Sequence, residues 1–364
     1  MQGSKAQESD HQEQRIERSA GETEPRGARG EMMRTMAAVS GVLVLLVTLL
    51  AGCGTPEVKQ PPDKITVQLA WVHQAQFAGF YVAQQNGYYA EEGLEVTLLP
   101  RAGPDVDVSA AVLDGTADFG VSYGAGLVMD RSRGRPVTAI ATTYRIYPLV
   151  FMTMPDSDIT RPQDFPGHTI RTLSVGSSDV VFQALMHRLG LDPDSVRQIE
   201  VGYDLSPFFA GELDIWPGYL INEVLTAREQ GYEVNLILPE DYGIHLYGDV
   251  LFATDRLIEE NPDLVLRFLR ATLRGWQWAV ENPEEAGPLA LKYDSTLDAA
   301  QQGAMMEASV PLVYTGEDDI GWMRAEVWEG MYDVLLEQGL LDEPFDVHEA
   351  YTMQFLQEIY GVEQ

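Results

Sequence analysis

From Lys64 to Leu69 the chain alternates apolar and polar positions, which predicts a strand that ends at Ala70-Trp71. Phe77, Phe80, Tyr81 and Val82 then recur at helical spacing, and Asn86-Gly87 supplies a helix stop. The same reading predicts a strand at Glu95 to Leu99, a helix at Ser109 to Leu113, a strand at Phe119 to Ser122, a helix at Leu127 to Arg131 and a strand at Val137 to Thr142. The pattern restarts at Leu149, with strands at Leu149 to Thr153 and Thr169 to Thr172 and a helix at Asp179 to Leu189 that Gly190, Asp192 and Pro193 break. Short strands follow at Ile199 to Val201, Asp214 to Trp216, Val234 to Leu238 and Val250 to Ala253. Beyond Pro262 amphipathic helices dominate, notably Asp263 to Glu281 and Trp322 to Gln338. Strands alternating with helices predict an α/β fold with largely parallel sheets.

One internal echo supports a division into two similar lobes. Leu113-Asp114-Gly115-Thr116-Ala117-Asp118-Phe119-Gly120 reappears as Phe209-Ala210-Gly211-Glu212-Leu213-Asp214-Ile215-Trp216. Each copy has an apolar helix end, a glycine stop and an aspartate that opens a short strand.

A different pattern occupies the amino-terminal part. Arg34 precedes an almost wholly apolar run from Met36 to Leu50, followed by Ala51, Gly52 and the chain's single cysteine, Cys53. The run's 15 residues cover roughly 22 Å as a helix, short of the roughly 30 Å hydrocarbon core, so a secretory signal is expected rather than a transmembrane helix. Residues 1–31 are polar and charged, which suggests a disordered lead or a start at Met32 or Met33.

Length and charge narrow the classes. The residues after Cys53 suffice for two domains of ordinary size. They carry 18 Lys and Arg against 49 Asp and Glu, a surface that repels nucleic acid and anionic headgroups and reads mainly as a solvated exterior. With no second cysteine a disulfide within the chain is excluded, so a packed core must hold the fold.

Candidate chemistry clusters at predicted strand ends, where ligands sit in open α/β sheets. Trp71, Gln76 and Phe77 lie where the first strand passes into the first helix. Trp216, Tyr219, Asn222 and Glu223 follow the second copy of the turn, and their rings, amide and carboxylate suit a flat heteroaromatic ligand. Tyr123, Tyr144, Tyr247 and Asp249 lie at other strand ends or crossovers, each also readable as structural. Ser174 and Ser177 precede the helix of the second half, where small residues cap a helix or admit a ligand to its free N–H groups. The six histidines are scattered, and no zinc spacing, nucleophile elbow or phosphate-cradling loop occurs. No catalytic set, metal site or cofactor is expected.

Leu50-Ala51-Gly52-Cys53 resembles the lipobox of bacterial lipoproteins, in which the cysteine receives lipid; the alternative is an ordinary signal-peptidase site. From WVHQAQFAGFYVAQQNGYYAEEGLEV through LDGTADFGVSYGAGL, RGRPVTAIATT, AGELDIWPGY and ENPDLVLRFLRATLRGWQWAVENPEEA the chain resembles the NMT1/THI5-like group, whose bacterial members are substrate-binding proteins of ABC transporters. That resemblance implies a two-lobed periplasmic-binding-protein fold of type II: mixed sheets flanked by helices, two crossover strands, and a cleft that closes on its ligand by a hinge. It implies a lead and signal over 1–53, a tether over 54–63, lobe 1 from 64–148, lobe 2 from 149–249, and a return over 250–364 packing mainly on lobe 1. The group's ligands include thiamine pyrimidine precursors, flavins such as riboflavin, alkanesulfonates and nitrate. Likeness to the pyrimidine binders gives Trp71, Tyr123 and Trp216 stacking roles and Glu223 the polar edge, with a flavin left open. The implied partners are a small-molecule ligand, an ABC permease and, through lipid on Cys53, the membrane, for a monomer outside the cytoplasm. The group's fungal members are enzymes that build the thiamine pyrimidine with pyridoxal phosphate and iron; where they carry a lysine and a histidine this chain has Ser122 and Gly126. A Schiff base needs an amine, so a binding protein rather than an enzyme is expected.

Overall fold

The computed structural model describes residues 61–103, 106–172 and 177–362, with the side chain of Ser177 excepted. Cys53, Ser174 and most of the expected tether lie outside them. The described residues from Pro61 onward belong to one compact unit.

Ten strands form three sheets among the described residues. β1 (Asp63–Gln68), β2 (Leu94–Leu99), β3 (Phe119–Tyr123), β4 (Val137–Thr142) and β10 (Asp249–Thr254) make the largest sheet, in the order β2-β1-β3-β10-β4. β5 (Leu149–Thr153), β8 (Trp216–Tyr219) and β9 (Asn235–Ile237) make a second, in the order β8-β5-β9, and β6 (Thr169–Thr172) pairs with β7 (Arg197–Glu200). The chain leaves the largest sheet after β4 and returns to it as β10. Over that crossing Thr143 and Tyr144 donate to the Asp249 carbonyl at 2.7 and 3.2 Å, and Gly248 donates to the Tyr144 carbonyl at 2.8 Å.

The expectation of largely parallel sheets needs correction. β1 is parallel to β2 and β3, and β6 to β7, but β10 is antiparallel to β3 and β4, and β5 to β8 and β9. The reason is the crossing itself: β10 returns from the other sheets without the helical crossover that a parallel neighbour requires, and slots between β3 and β4 running against both. The strand expected at Asp214 to Trp216 is also shifted. Ile215 makes only one bridge to Ile170, and pairing begins at Trp216, with Pro217 opposite Phe151. Proline is tolerated there because β8 is an edge strand.

The sequence echo is a pair of clasps. Asp118 Oδ2 accepts from the Thr66 N–H in the middle of β1 at 2.8 Å, and Asp214 Oδ2 accepts from the Thr169 N–H at the start of β6 at 2.7 Å. The preceding glycines, Gly115 and Gly211, take φ of 81° and 73°, the left-handed turn that ends each helix.

The Pro262–Glu281 helix buries Val265, Phe268, Leu269, Thr272 and Trp276 on one face. Gly275 brings it against the Ala78–Gln85 helix so closely that a Cβ would overlap the Gly79 carbonyl oxygen. Trp276 then fills the space between that helix and the crossing, with edge contacts to Phe80 and Tyr144 at 6.3 and 5.9 Å. The helix expected from Trp322 starts at Ala325, and the Ala299–Val313 helix was not anticipated because its apolar residues do not form a single stripe.

Candidate functional site

The amino edge of the site is the turn Ala75–Phe77, held from outside when Gln302 Oε1 accepts from the Ala75 N–H at 2.6 Å. This fixes the Gln76 side chain, whose Nε2 donates to both oxygens of Asp249 at 3.0 and 2.9 Å. Gln74 Nε2 donates in turn to Gln76 Oε1 at 2.7 Å. All three side chains are buried. Asp249 has no ion-pair partner among the described residues, and burial pushes its carboxyl up to about 7, the Gln76 bond offsetting only part of the shift. Two residues far apart in the chain, each a sequence candidate, are thus brought into direct contact.

Asp249 stands opposite Tyr123 in the β3–β10 ladder, and directly opposed side chains share a face. Tyr123, half-buried, faces Tyr147 at 6.5 Å, and Tyr147 meets Tyr219 edge-on at 5.7 Å with their hydroxyls 2.8 Å apart. This aromatic chain leads from the largest sheet to the end of β8. Between the sheets runs a narrow apolar crevice lined by Tyr123, Ala125, Tyr147, Val180, Val181 and Tyr247. A cavity of about 260 Å³ shares Tyr147 and Val181 with it and is walled further by Ile146, Leu220, Leu238 and Leu312.

A second contact crosses between the sheets at the end of β1. Trp71, partly buried, meets the exposed Tyr203 edge-on at 5.6 Å. Behind Tyr203 lies Arg171, whose guanidinium sits 4.9 Å from the Tyr203 ring centre and 4.8 Å from that of Trp216. Its Nε donates to the Gly202 carbonyl at 3.0 Å. Sequence reasoning missed both Arg171 and Tyr203: an arginine within a short strand reads as solvent-facing, and Tyr203 lies in an irregular segment without periodicity.

The remaining candidates separate. Glu223 opens the Glu223–Glu229 helix, and its Oε2 accepts from the Tyr219 N–H at 2.8 Å. Burial raises its pKa above the usual carboxylate range, against the opposing pull of that bond and of Arg171. Asn222 is the half-buried residue just before that helix, and Ser177 begins the Ser177–Arg188 helix. Trp216 is fully buried, reached through the Arg171 guanidinium lying over its ring. Tyr247 is nearly buried and its hydroxyl accepts from the Arg324 N–H at 2.7 Å, although the residue still lines the crevice. Phe77 and Tyr144 lie in the core: Phe77 is wholly buried in the apolar cluster, and Tyr144 donates to Ser309 Oγ at 2.8 Å behind the crossing. Both turn away because the helices packed on the largest sheet need large rings to fill their interface.

Chemically, the arrangement offers ring faces, one buried carboxylate free of a cation and one buried guanidinium, which suits recognition of a flat polar molecule. No group of His, Cys, Asp and Glu among the described residues is arranged to hold a metal ion.

Comparison with known proteins places this geometry in context. The family model described as NMT1/THI5 like matches residues 74–286. Riboflavin-binding protein RibY of Chloroflexus aurantiacus is 28% identical over 350 residues, covering 89% of this chain and 99% of RibY. A formylaminopyrimidine-binding protein of Halalkalibacterium halodurans is 27% identical over 319 residues, covering 85% of this chain and 96% of its own. A 4-amino-5-hydroxymethyl-2-methylpyrimidine phosphate synthase of Legionella pneumophila is 27% identical over 303 residues, covering 81% and 92%. Among solved structures, the periplasmic aliphatic sulphonate binding protein SsuA of Escherichia coli superposes with a TM-score of 0.63 at 16% identity, covering 79% of this chain and 92% of that one. The fold is therefore the two-lobed periplasmic-binding-protein fold, with the crevice between its sheets.

Proposed function

The chain belongs to the NMT1/THI5-like family, and on that premise we propose that it is the solute-binding component of an ABC importer that captures a flat heteroaromatic nutrient of the thiamine pyrimidine class. The observation that carries this reading is Asp249, a buried carboxylate held by the Gln76 amide and by no cation among the described residues. A buried carboxylate held by one neutral amide and no cation still costs stability, and the amino edge of a pyrimidine is a further donor. Tyr123, opposite Asp249, begins the chain of rings through Tyr147 to Tyr219 that supplies ring faces. A sulfonate or nitrate would meet an unpaired carboxylate where it needs donors.

In this reading residues 64–148 and 250–364 build lobe 1 and residues 149–249 lobe 2, and the ligand is enclosed between them. Cys53 carries lipid, and residues 54–63 tether the monomeric domain outside the cytoplasm beside its permease. The protein is not an enzyme of the synthase kind, because Ser122 stands where such an enzyme's lysine would be and offers no amine.

A second reading, a riboflavin binder, is favoured by the likeness to RibY along nearly its whole length and by the apolar cavity behind Tyr147. At about 260 Å³ that cavity is below the roughly 300–1,000 Å³ of drug-sized ligand sites, so a tricyclic ring requires the lobes to part.

The test is the melting temperature of the purified protein with a formylaminopyrimidine, riboflavin, taurine or nitrate. Ligand at about 100 times its Kd adds roughly 2.7 kcal/mol of stability. A rise with the pyrimidine supports the reading, a rise with riboflavin alone supports the second, and a rise only with taurine or nitrate overturns both.

A further inference from the structure

Arg171 is buried to 4% relative exposure, yet its Nη2 has no hydrogen-bond partner among the described residues. No carboxylate among them lies within ion-pair distance of it, and burial holds its pKa below the usual arginine value, opposed by Glu223, Tyr203 and Asp179. An unpaired buried cation is costly, and the surrounding structure fixes rather than relieves it. The Gly202 carbonyl accepts from Nε at 3.0 Å, and the rings of Tyr203 and Trp216 each lie within 5 Å of the guanidinium. The bare Nη2 thus belongs to a guanidinium held beside Tyr203, the residue whose ring meets Trp71 edge-on.

A second bare atom accompanies it. Asp179 donates nothing and accepts from Thr172 Oγ1 through Oδ1 at 2.6 Å, while its Oδ2 is buried with no partner among the described residues. Asp179 is close enough to influence the charge on Arg171 but forms no ion pair with it. The lobe therefore presents one unsatisfied strong donor and one unsatisfied strong acceptor, both buried, in the same neighbourhood. Native structures rarely leave such groups unpaired without a reason.

We propose that Arg171 and Asp179 are the specificity-determining pair of lobe 2, reading a carbonyl oxygen and a neighbouring N–H of the bound solute, so that the protein selects heteroaromatic molecules carrying an amide, whether a formamido substituent or a ring imide. Arg171 donates to the carbonyl, and Asp179 accepts from the N–H. The inference rests on the heteroaromatic reading above and adds the functional group that distinguishes accepted from rejected rings. It also explains why the polar atoms of this lobe stay bare while those around Asp249 are linked: an amide brings both partners at once.

The test measures affinity by calorimetry for two matched pairs: a formylaminopyrimidine against the same pyrimidine with the formyl group removed, and riboflavin against its N3-methyl derivative, which lacks the imide N–H. The wild type is expected to prefer the formylated pyrimidine, or riboflavin with its free imide N–H, over the other member of the pair by about 10–100-fold, the worth of a hydrogen bond to a charged group. Arg171→Met is expected to erase the preference within the pyrimidine pair, whose members differ in the carbonyl, whereas within the riboflavin pair, both members of which keep their carbonyls, Asp179→Asn is the variant expected to erase it. Arg171→Lys should restore part of the pyrimidine preference, because a lysine keeps the charge without the planar fork. Asp179→Asn should leave the fold intact, which the melting temperature verifies. If Arg171 only secures the Gly202 turn, Arg171→Met will weaken both members of the pyrimidine pair equally, and the inference is overturned. A wild type that binds no member of either pair instead overturns the heteroaromatic reading on which it rests.

Discussion

At the scale of single residues, Asp249 carries the sharpest expectation. Its folded pKa, about 7, lies above the unfolded value near 3.9, so between these values the folded state binds more protons than the unfolded one. Stability without ligand must then fall as pH rises through that window, by up to roughly 4 kcal/mol for this group. Glu223 and Asp130, also raised by burial, add slope of the same sign. Asp249→Asn should make the melting temperature less dependent on pH between about 4 and 8 and should raise it at pH 8, while weakening ligand binding. A variant whose profile matches the wild type would show that the carboxylate is not the source of the slope. Trp71→Ala should weaken binding about tenfold, the scale of one lost aromatic contact, and should lower the melting temperature less than loss of a fully buried ring, because Trp71 is only partly buried, meeting Tyr203 and the margin of the apolar core. The site was legible in part at this scale. Gln76 and Asp249 each stood out by position at a strand end, but their contact spans 173 positions and no local pattern announces it. The burial of Phe77 is not legible either, because a ring at a helix start looks the same in sequence whether it faces a ligand or a core.

At the scale of elements, the two aspartate clasps give the two copies of the repeated motif the same structural task. Each carboxylate ties a new strand to the one beside it through a backbone N–H, a geometry that only an aspartate placed just after a left-handed glycine reaches. Asp118→Ala and Asp214→Ala should each cost about 1–3 kcal/mol, measured by denaturant unfolding, since each leaves a backbone donor unpaired. Gly275→Ala should also destabilise, by about 1–3 kcal/mol, because the Ala78–Gln85 helix cannot retreat without unseating Trp276. Strands β4, β5 and β6 match the expected bounds because alternation and flanking breakers agree there. β8 was displaced because proline and glycine argue against a strand unless its place at a sheet edge is known, and edge position is a property of the tertiary fold. Antiparallel crossing strands were invisible for the same reason: local pattern encodes a strand but not the direction of its neighbour.

For the whole molecule, the acidity of the chain, 56 Asp and Glu against 24 Lys and Arg, makes two buried polar groups with opposite unmet needs more informative than the net charge. The buried Asp249 carboxylate has no cation beside it, and Nη2 of the buried Arg171 has no acceptor among the described residues. Tethering belongs to this scale too. In the proposed account lipid on Cys53 attaches the protein to the membrane, and Cys53→Ser should move it from the membrane fraction to the soluble extracytoplasmic one on fractionation of cells. The central claim is capture of a flat heteroaromatic solute at Asp249, and calorimetric titration of the wild type and Asp249→Asn with a formylaminopyrimidine and with riboflavin tests it most directly. The account predicts saturable one-to-one binding of at least one of the two by the wild type, weakened about tenfold or more in the variant. Saturable binding of taurine or nitrate with no binding of either ring, or a heteroaromatic affinity identical in the two proteins, would contradict it.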